Sequence, residues 1–305
     1  MASVLPAALV LLGVVGAASE GCSSSDQAAA AGTDAGADAA DAGSDSAVAP
    51  CSEPVASRAP GSSCVRTIAG RIVQDDPAGS PLALLTTVCG AGLCVLGRGD
   101  ANGFEVALNR FVDLDASFVV HVDGRPNHAN VFVRLARSPS EAIVLASPIR
   151  VPRLDQVGPA FPEAPTAAST VLEAGDVTLT LAPSTSVELD FADAALEAEG
   201  RKLRSGLASA ELAGDPSIVA LHALAPFGAS LTPPAGVSIV LPPAAALADG
   251  TAVDIVALDD TLDGPDIGRL RVVAAATVTG GVAKSDPGTG ISRLTWVGIR
   301  KKANQ

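Results

Sequence analysis

The sequence predicts an all-β protein: two β-sandwich domains behind a signal peptide and a disordered linker. Three observations lead there. From Cys64 onward, apolar and polar residues alternate in short runs, the period of a strand with one buried face. Gly, Pro, Asn and Asp interrupt those runs about every eight to twelve residues, the rhythm of an antiparallel sandwich. The chain is 48% apolar yet has seven Phe, one Trp and no Tyr. Its core must therefore be built from small and branched side chains, which favour strands over large helices.

The 305 residues suffice for one large or two ordinary domains. In GFEVALN, Phe104, Val106 and Leu108 share one face and Glu105 and Asn109 the other. In SFVVHVD, Phe118, Val120 and Val122 lie opposite His121 and Asp123, and VTLTL, SVELDF and VSIVL alternate in the same way. The best helical stretch is DAALEAEGRKL at 193–203, interrupted by Gly200. A Pro-rich passage at 151–169 separates residues 51–150 from residues 170–305. It reads as a linker between two sandwiches or as an ordered crossover at a sheet edge.

Residues Val4 to Ala18 form an apolar run too short to span a bilayer and of the length of a signal-peptide core, so 1–21 is expected to be removed. After it come Ser19, Glu20, Gly21 and Cys22. This stretch resembles a bacterial lipoprotein signal, in which a small residue precedes the cysteine that is lipidated and becomes the mature N-terminus. Gly21 fits that pattern; Ser19, Glu20 and the lack of Lys or Arg before the apolar run depart from it. The resemblance implies an exported protein held in the cell envelope through a lipid on Cys22. The alternative is ordinary cleavage near Ala17 or Ala18. Residues 22–50 are mostly Ala, Asp, Gly and Ser without an aromatic residue, so they are expected to form a disordered tether with a reach of about 30 Å.

The chain has five cysteines. Lipidation of Cys22 leaves an even set, as an oxidising compartment favours. Cys89 and Cys94 flank GAGL and are placed to close a hairpin tip, which leaves Cys51 to pair with Cys64. Their spacing does not match a structural zinc site.

In residues 68–108, a strand containing Gly70 leads to the turn at Gly79-Ser80-Pro81 and a second strand. Asp100-Ala101-Asn102-Gly103 then introduces Phe104. Gly and Asn permit positive φ at such turns, and the Phe anchors the following strand. The pattern resembles the carboxypeptidase regulatory-like domain, a transthyretin-like Greek-key sandwich, and implies a non-catalytic module. Farther on, LHALAPFGASLTPPAGVSIVLPP, ADGTAVDIVALD and SDPGTGISRLTW are similar to the β-rich domain of ankyrins and netrin receptors. Some members of that group cleave themselves at His-Phe-Ser. Here Ala223 and Leu224 follow His222, so that activity is not expected.

Net charge is −13 and the sequence pI is about 4.5. Nucleic-acid binding needs a basic face, which this balance argues against, and the same sign disfavours anionic lipid headgroups. His121, His128 and His222 form no close metal-binding pair in sequence; an approach of His121 and His128 across a hairpin beside Asp123 is weaker than a polar strand face and a solvated turn. No G-x-S-x-G elbow occurs; FGASL at Ser230 is the nearest miss, and Gly is absent where the motif needs it. GAGLCV sits in the expected disulfide hairpin rather than at a strand-to-helix turn, so it is not read as a dinucleotide loop.

In DDTLDGPDIG, Asp259, Thr261, Asp263 and Gly264 mimic the start of an EF-hand loop, but Leu270 stands at its twelfth position. Asp259, Asp263 and Asp266 are the calcium candidates, against a plainer reading as a solvated acidic hairpin. Arg98-Gly99-Asp100 spells an adhesion tripeptide that already serves as a turn. Trp296 shares an alternating face with Leu294 and reads as core rather than as a sugar-stacking platform.

The expectation is a non-catalytic structural or binding module of the envelope, attached to a membrane through its lipid and meeting an envelope protein or polysaccharide. An accessory or catalytic part of an extracellular hydrolase and a calcium-stabilised adhesin are the alternatives.

Overall fold

The computed structural model describes residues 51–302 except 53, 59, 76–83, 91–92, 101, 115–117, 137, 139, 209–213 and 263. Cys22, the leader and the tether lie outside the described residues. The described chain is all-β. Its N-terminal half contributes β1 (Ser63–Gln74), β2 (Leu85–Gly90), β3 (Leu93–Leu96), β4 (Arg98–Gly99), β5 (Gly103–Val112), β6 (Val119–Asp123), β7 (Val131–Arg134), β8 (Ala142–Val144) and β9 (Ile149–Val151). The C-terminal half contributes β10 (Gln156–Ala160), β11 (Thr170–Ala174), β12 (Val177–Leu181), β13 (Ser186–Glu188), β14 (Lys202–Leu207), β15 (Ile218–Ala225) and β16 (Ser230–Val240). It ends with β17 (Ala252–Leu258), β18 (Leu270–Thr279), β19 (Val282–Ser285), β20 (Ile291–Arg293) and β21 (Trp296–Lys301).

The first half is a sandwich. One sheet runs β4-β5-β1-β8, with β9 also on β1, and the other runs β3-β2-β6-β7. Alternation sets the core between them: Phe104, Val106 and Leu108 on β5 and Val120 and Val122 on β6 are buried in one cluster, while Glu105 and Asn109 face solvent. β8 and β9 join β1 in parallel, where antiparallel pairing was expected. The chain passes through the other sheet between β1 and β8, the kind of crossover that parallel pairing requires, and β9 then continues along the same edge of β1.

Cys89 and Cys94 sit opposite one another on β2 and β3 and are bonded, with Cα atoms 4.1 Å apart, close to the narrow pairing distance of antiparallel strands. Cys51 is bonded to Cys64 and pins the chain entering the sandwich to the start of β1.

Most of the second half forms one twelve-stranded sheet, ordered β10-β14-β15-β21-β17-β18-β19-β16-β12-β11 with β13 and β20 also paired to β16. The two layers expected of a sandwich are two sides of this single curled sheet. Its outer strands β10 and β11 come together without a ladder. Ser205 Oγ on β14 donates to the Ala174 carbonyl on β11 at 2.7 Å, and Gly158 on β10 lies so close to β11 that a Cβ there would fall on the Glu173 carbonyl oxygen. Near-closure shields the edges of a sheet that otherwise offers unpaired backbone groups. Gly158→Ala should therefore lower stability by about 1–3 kcal/mol, read from urea unfolding. Val157→Ala, at an exposed neighbour on the same strand, should be nearly silent, and equal effects would sink this account of the closure.

β10 comes from the Pro-rich passage, so that passage supplies an ordered sheet-edge strand. The described residues, 51–302, lie in one compact unit. Strands β15, β21 and β17 explain how the halves join, because both of their faces are covered. Leu221, Ala223, Ala225, Val256 and Trp296 belong to the core of the first half, while Ala220, Leu224, Ile255, Val297 and Ile299 pack inside the barrel. IVALHALA lacks alternation for this reason: a strand buried on both faces reads as a continuous apolar run.

Three expectations change in detail. Residues 193–203 form no continuous helix: α1 (Phe191–Ala194) and α2 (Glu197–Gly200) are single turns, and β14 begins at Lys202. SVELDF alternates only through Glu188, because Asp190 caps α1 by accepting the Asp193 backbone N–H at 2.8 Å, which leaves Phe191 91% exposed. Trp296 is buried, but Leu294 packs in the barrel core and Trp296 in the core of the first half, since the backbone bends at Thr295 before β21 starts.

Candidate functional site

The mouth of the barrel carries a polar cavity. Its volume is about 540 Å3, and Asp75, Arg153, Asp155, Gln156, Gly175, Asp176, Ser205, Leu207 and His222 line it. Most come from strand ends or turns, while Ser205 and His222 lie within β14 and β15. Asp75 follows β1, Arg153 and Asp155 lie between β9 and β10, Gly175 and Asp176 form the β11–β12 turn, and Leu207 pairs with His222 across β14 and β15. Barrel mouths are a recurrent place for small-molecule sites, and this volume lies within their ~300–1,000 Å3 range.

His222 is the unusual residue. It has the strand parity of Ala220 and Leu224, which pack in the barrel interior, and it is 2% exposed. Its Nε2 is buried and has no hydrogen-bond partner. An unsatisfied buried nitrogen costs about 1–3 kcal/mol. Burial pushes the imidazole pKa down, and the nearby Asp176 carboxylate opposes that only in part. The ring is therefore neutral near pH 7. Ser205, also buried, donates its hydroxyl hydrogen bond to the Ala174 carbonyl, so its oxygen lone pairs are left as acceptors.

A second polar cluster ties the two halves together. The Arg125 guanidinium clasps both oxygens of Asp123, with Nη2 2.6 Å from Oδ2, and reaches Asp190 and Asp193 beside α1. Burial works against the arginine's charge, but its three carboxylate neighbours hold its pKa above the usual value. Burial likewise opposes ionisation of Asp123, yet the guanidinium wins and holds that carboxyl below its ordinary range. Asp193 goes the other way. Burial, with the repulsion of Asp190 and Asp123, outweighs the pull of Arg125 and raises it to about 7; its Oδ2 has no hydrogen-bond partner. One cation facing three carboxylates cannot neutralise them all, and the most buried keeps its proton longest.

The residues singled out in the sequence are dispersed. His121 Nε2 is 2.9 Å from Asn130 Oδ1, and its ring stacks on Phe132, so it serves packing. Asp259 pairs with Arg271 at 3.0 Å and accepts the Thr261 N–H; Asp266 is 3.4 Å from Arg269. Asp263 lies outside the described residues. The acidic loop is not the free hairpin the plainer reading describes. Ile267 buries against Cys89 and Val119, and Arg134 of β7 donates to the Ile267 carbonyl at 2.8 Å. Asp100 of the Arg-Gly-Asp tripeptide accepts the Asn102 and Gly103 N–H groups in its turn. Among the described residues, no three His, Cys, Asp or Glu side chains are placed to hold a metal ion.

The mouth was not legible as a site in the sequence. One signal was there: His222 is the lone ionisable residue of IVALHALA. No family model matches the chain, and no curated protein matches it.

Proposed function

We propose that the chain is a non-catalytic binding module of the cell envelope, tethered through a lipid on Cys22, that takes a small polar ligand in its barrel mouth. The observation that carries this reading is His222, a neutral imidazole held beneath a polar cavity at a cost to stability that no bond within the protein offsets. Stability given up at a concave site is a common mark of binding function. The placement in the envelope is supported by the apolar leader and by the two disulfides, which account for four of the five cysteines and leave Cys22 over.

His222→Leu tests the reading from both sides. The variant should be more stable than the parent by about 1–3 kcal/mol, because the unsatisfied nitrogen is gone. It should also bind nothing at the mouth. With histidine-selective isotope labelling, the three rings are observable one by one, and at least one probe from a set of small ammonium, polyol and carboxylate compounds should move the His222 resonance saturably. A His222 resonance indifferent to every probe, together with an unstabilised variant, would leave His222 an ordinary core residue.

A further inference from the structure

Resting on the reading of the barrel mouth as a ligand site, we propose that its ligand is an organic ammonium ion, held by rim carboxylates above the His222 imidazole. Three features point to this chemistry.

The first is the charge around the rim. Asp75, Asp155 and Asp176 line the cavity with one arginine, Arg153, and Arg150 stands behind Asp75 outside the lining. Asp75 has only a loose partner, Arg150 at 3.8 Å, and neither Asp155 nor Asp176 has an ion-pair partner among the described residues. In a chain of net charge −13, this concentrates negative potential at the opening, which draws cations in and turns anions away.

The second is the floor. Imidazolium there would repel a cation, but burial keeps the ring neutral, and in the tautomer protonated on Nδ1 the unpartnered Nε2 offers its lone pair to an ammonium N–H. Ser205 adds a hydroxyl oxygen whose proton is already committed to Ala174. The floor thus tends toward acceptors, which a donor-only group such as R–NH3+ matches.

The third is the absence of converging ligands. The acidic groups are spread around the opening from three separate turns, and no three of them are placed to coordinate a metal. Distributed carboxylates around a cavity of about 540 Å3 suit a diffuse organic cation, with Leu207 offering an apolar wall to its carbon skeleton.

The test uses the protein with both disulfides intact and follows the His222 resonance and the heat of binding for putrescine, ethanolamine, glycerol and acetate. Putrescine or ethanolamine should bind at least tenfold more tightly than glycerol, and acetate not at all. Added salt should weaken the amines, and Asp176→Asn should weaken them at least fivefold while leaving any glycerol affinity unchanged. Because Asp176 is exposed at a turn, that variant is expected to fold. Glycerol or acetate moving His222 as strongly as the amines would overturn the ammonium assignment and leave the mouth as a ligand site. No probe moving His222 would overturn both. Amine binding unaffected by both Asp176→Asn and His222→Leu would place it elsewhere and overturn the proposal as well.

Discussion

Trp296→Ala should lower the unfolding free energy by about 3–5 kcal/mol, the cost of truncating a large aromatic side chain in a packed core. Trp296 belongs to barrel strand β21, yet its side chain is 5% exposed within the core of the N-terminal sandwich. Its indole N–H donates to the Asn130 carbonyl at 2.6 Å, across 166 residues of chain. The substitution therefore opens a cavity at the joint and strands a buried carbonyl there. In the parent protein, fluorescence of this single tryptophan and circular dichroism should report one coincident urea transition, because the halves share a core. In the variant, circular dichroism should show an earlier and broader transition as the halves uncouple. Trp296→Phe should fall between, losing the hydrogen bond and part of the volume. A loss below 1 kcal/mol for the alanine variant, with the transition still sharp, would mean the halves do not lean on each other through this residue.

Arg125→Met should cost about 3–5 kcal/mol near pH 8, as expected when one partner is removed from a buried ion-pair cluster. The change leaves Asp123, Asp190 and Asp193 facing one another without their cation. The pH dependence identifies the cause. Asp193 has a native pKa of about 7, above its unfolded value of 3.8. Its proton therefore stabilises the fold fully below about pH 4, and that contribution is lost as pH rises through 7. The penalty of Arg125→Met should accordingly grow from pH 4 to pH 8.

Asp193→Asn removes the titrating group while keeping its shape. It should raise the melting temperature at pH 8 and remove the part of the profile that falls between pH 4 and 7. His121 and His222 tilt the profile in the opposite direction, since burial depresses both; their contribution is present above pH 6.5 and is lost as pH falls. The difference between parent and Asp193→Asn isolates the carboxyl. Superimposable profiles would refute the account of this cluster.

Arg125 and Trp296 also show why the joint between the halves escapes a reading of the sequence. Asp123 is two residues from Arg125, so half of that cluster is local. Asp190 and Asp193 enter from a turn more than sixty residues away, and alternation in SVELDF points instead to a strand. Trp296 reads as core from its apolar neighbours, but the sequence does not say which of two cores receives it. A strand covered on both faces has no polar side to mark its orientation.

Local chemistry settled the all-β class, the burial of Phe104, Val106, Leu108, Val120 and Val122, and the pairing of Cys89 with Cys94. Alternation and turn residues act over a few positions, and those positions carry the whole signal. Tertiary structure alone decided that the C-terminal strands curl into a near-closed barrel, that the Pro-rich passage supplies its closing strand, and that the halves share a core. It alone brought Asp75, Asp155 and Asp176 to the rim above His222. The reason is distance along the chain. Gly158 meets Glu173, Ser205 meets Ala174 and His222 meets the rim only after the sheet has curled. That curl depends on the sum of many strand pairings, and no single residue announces it.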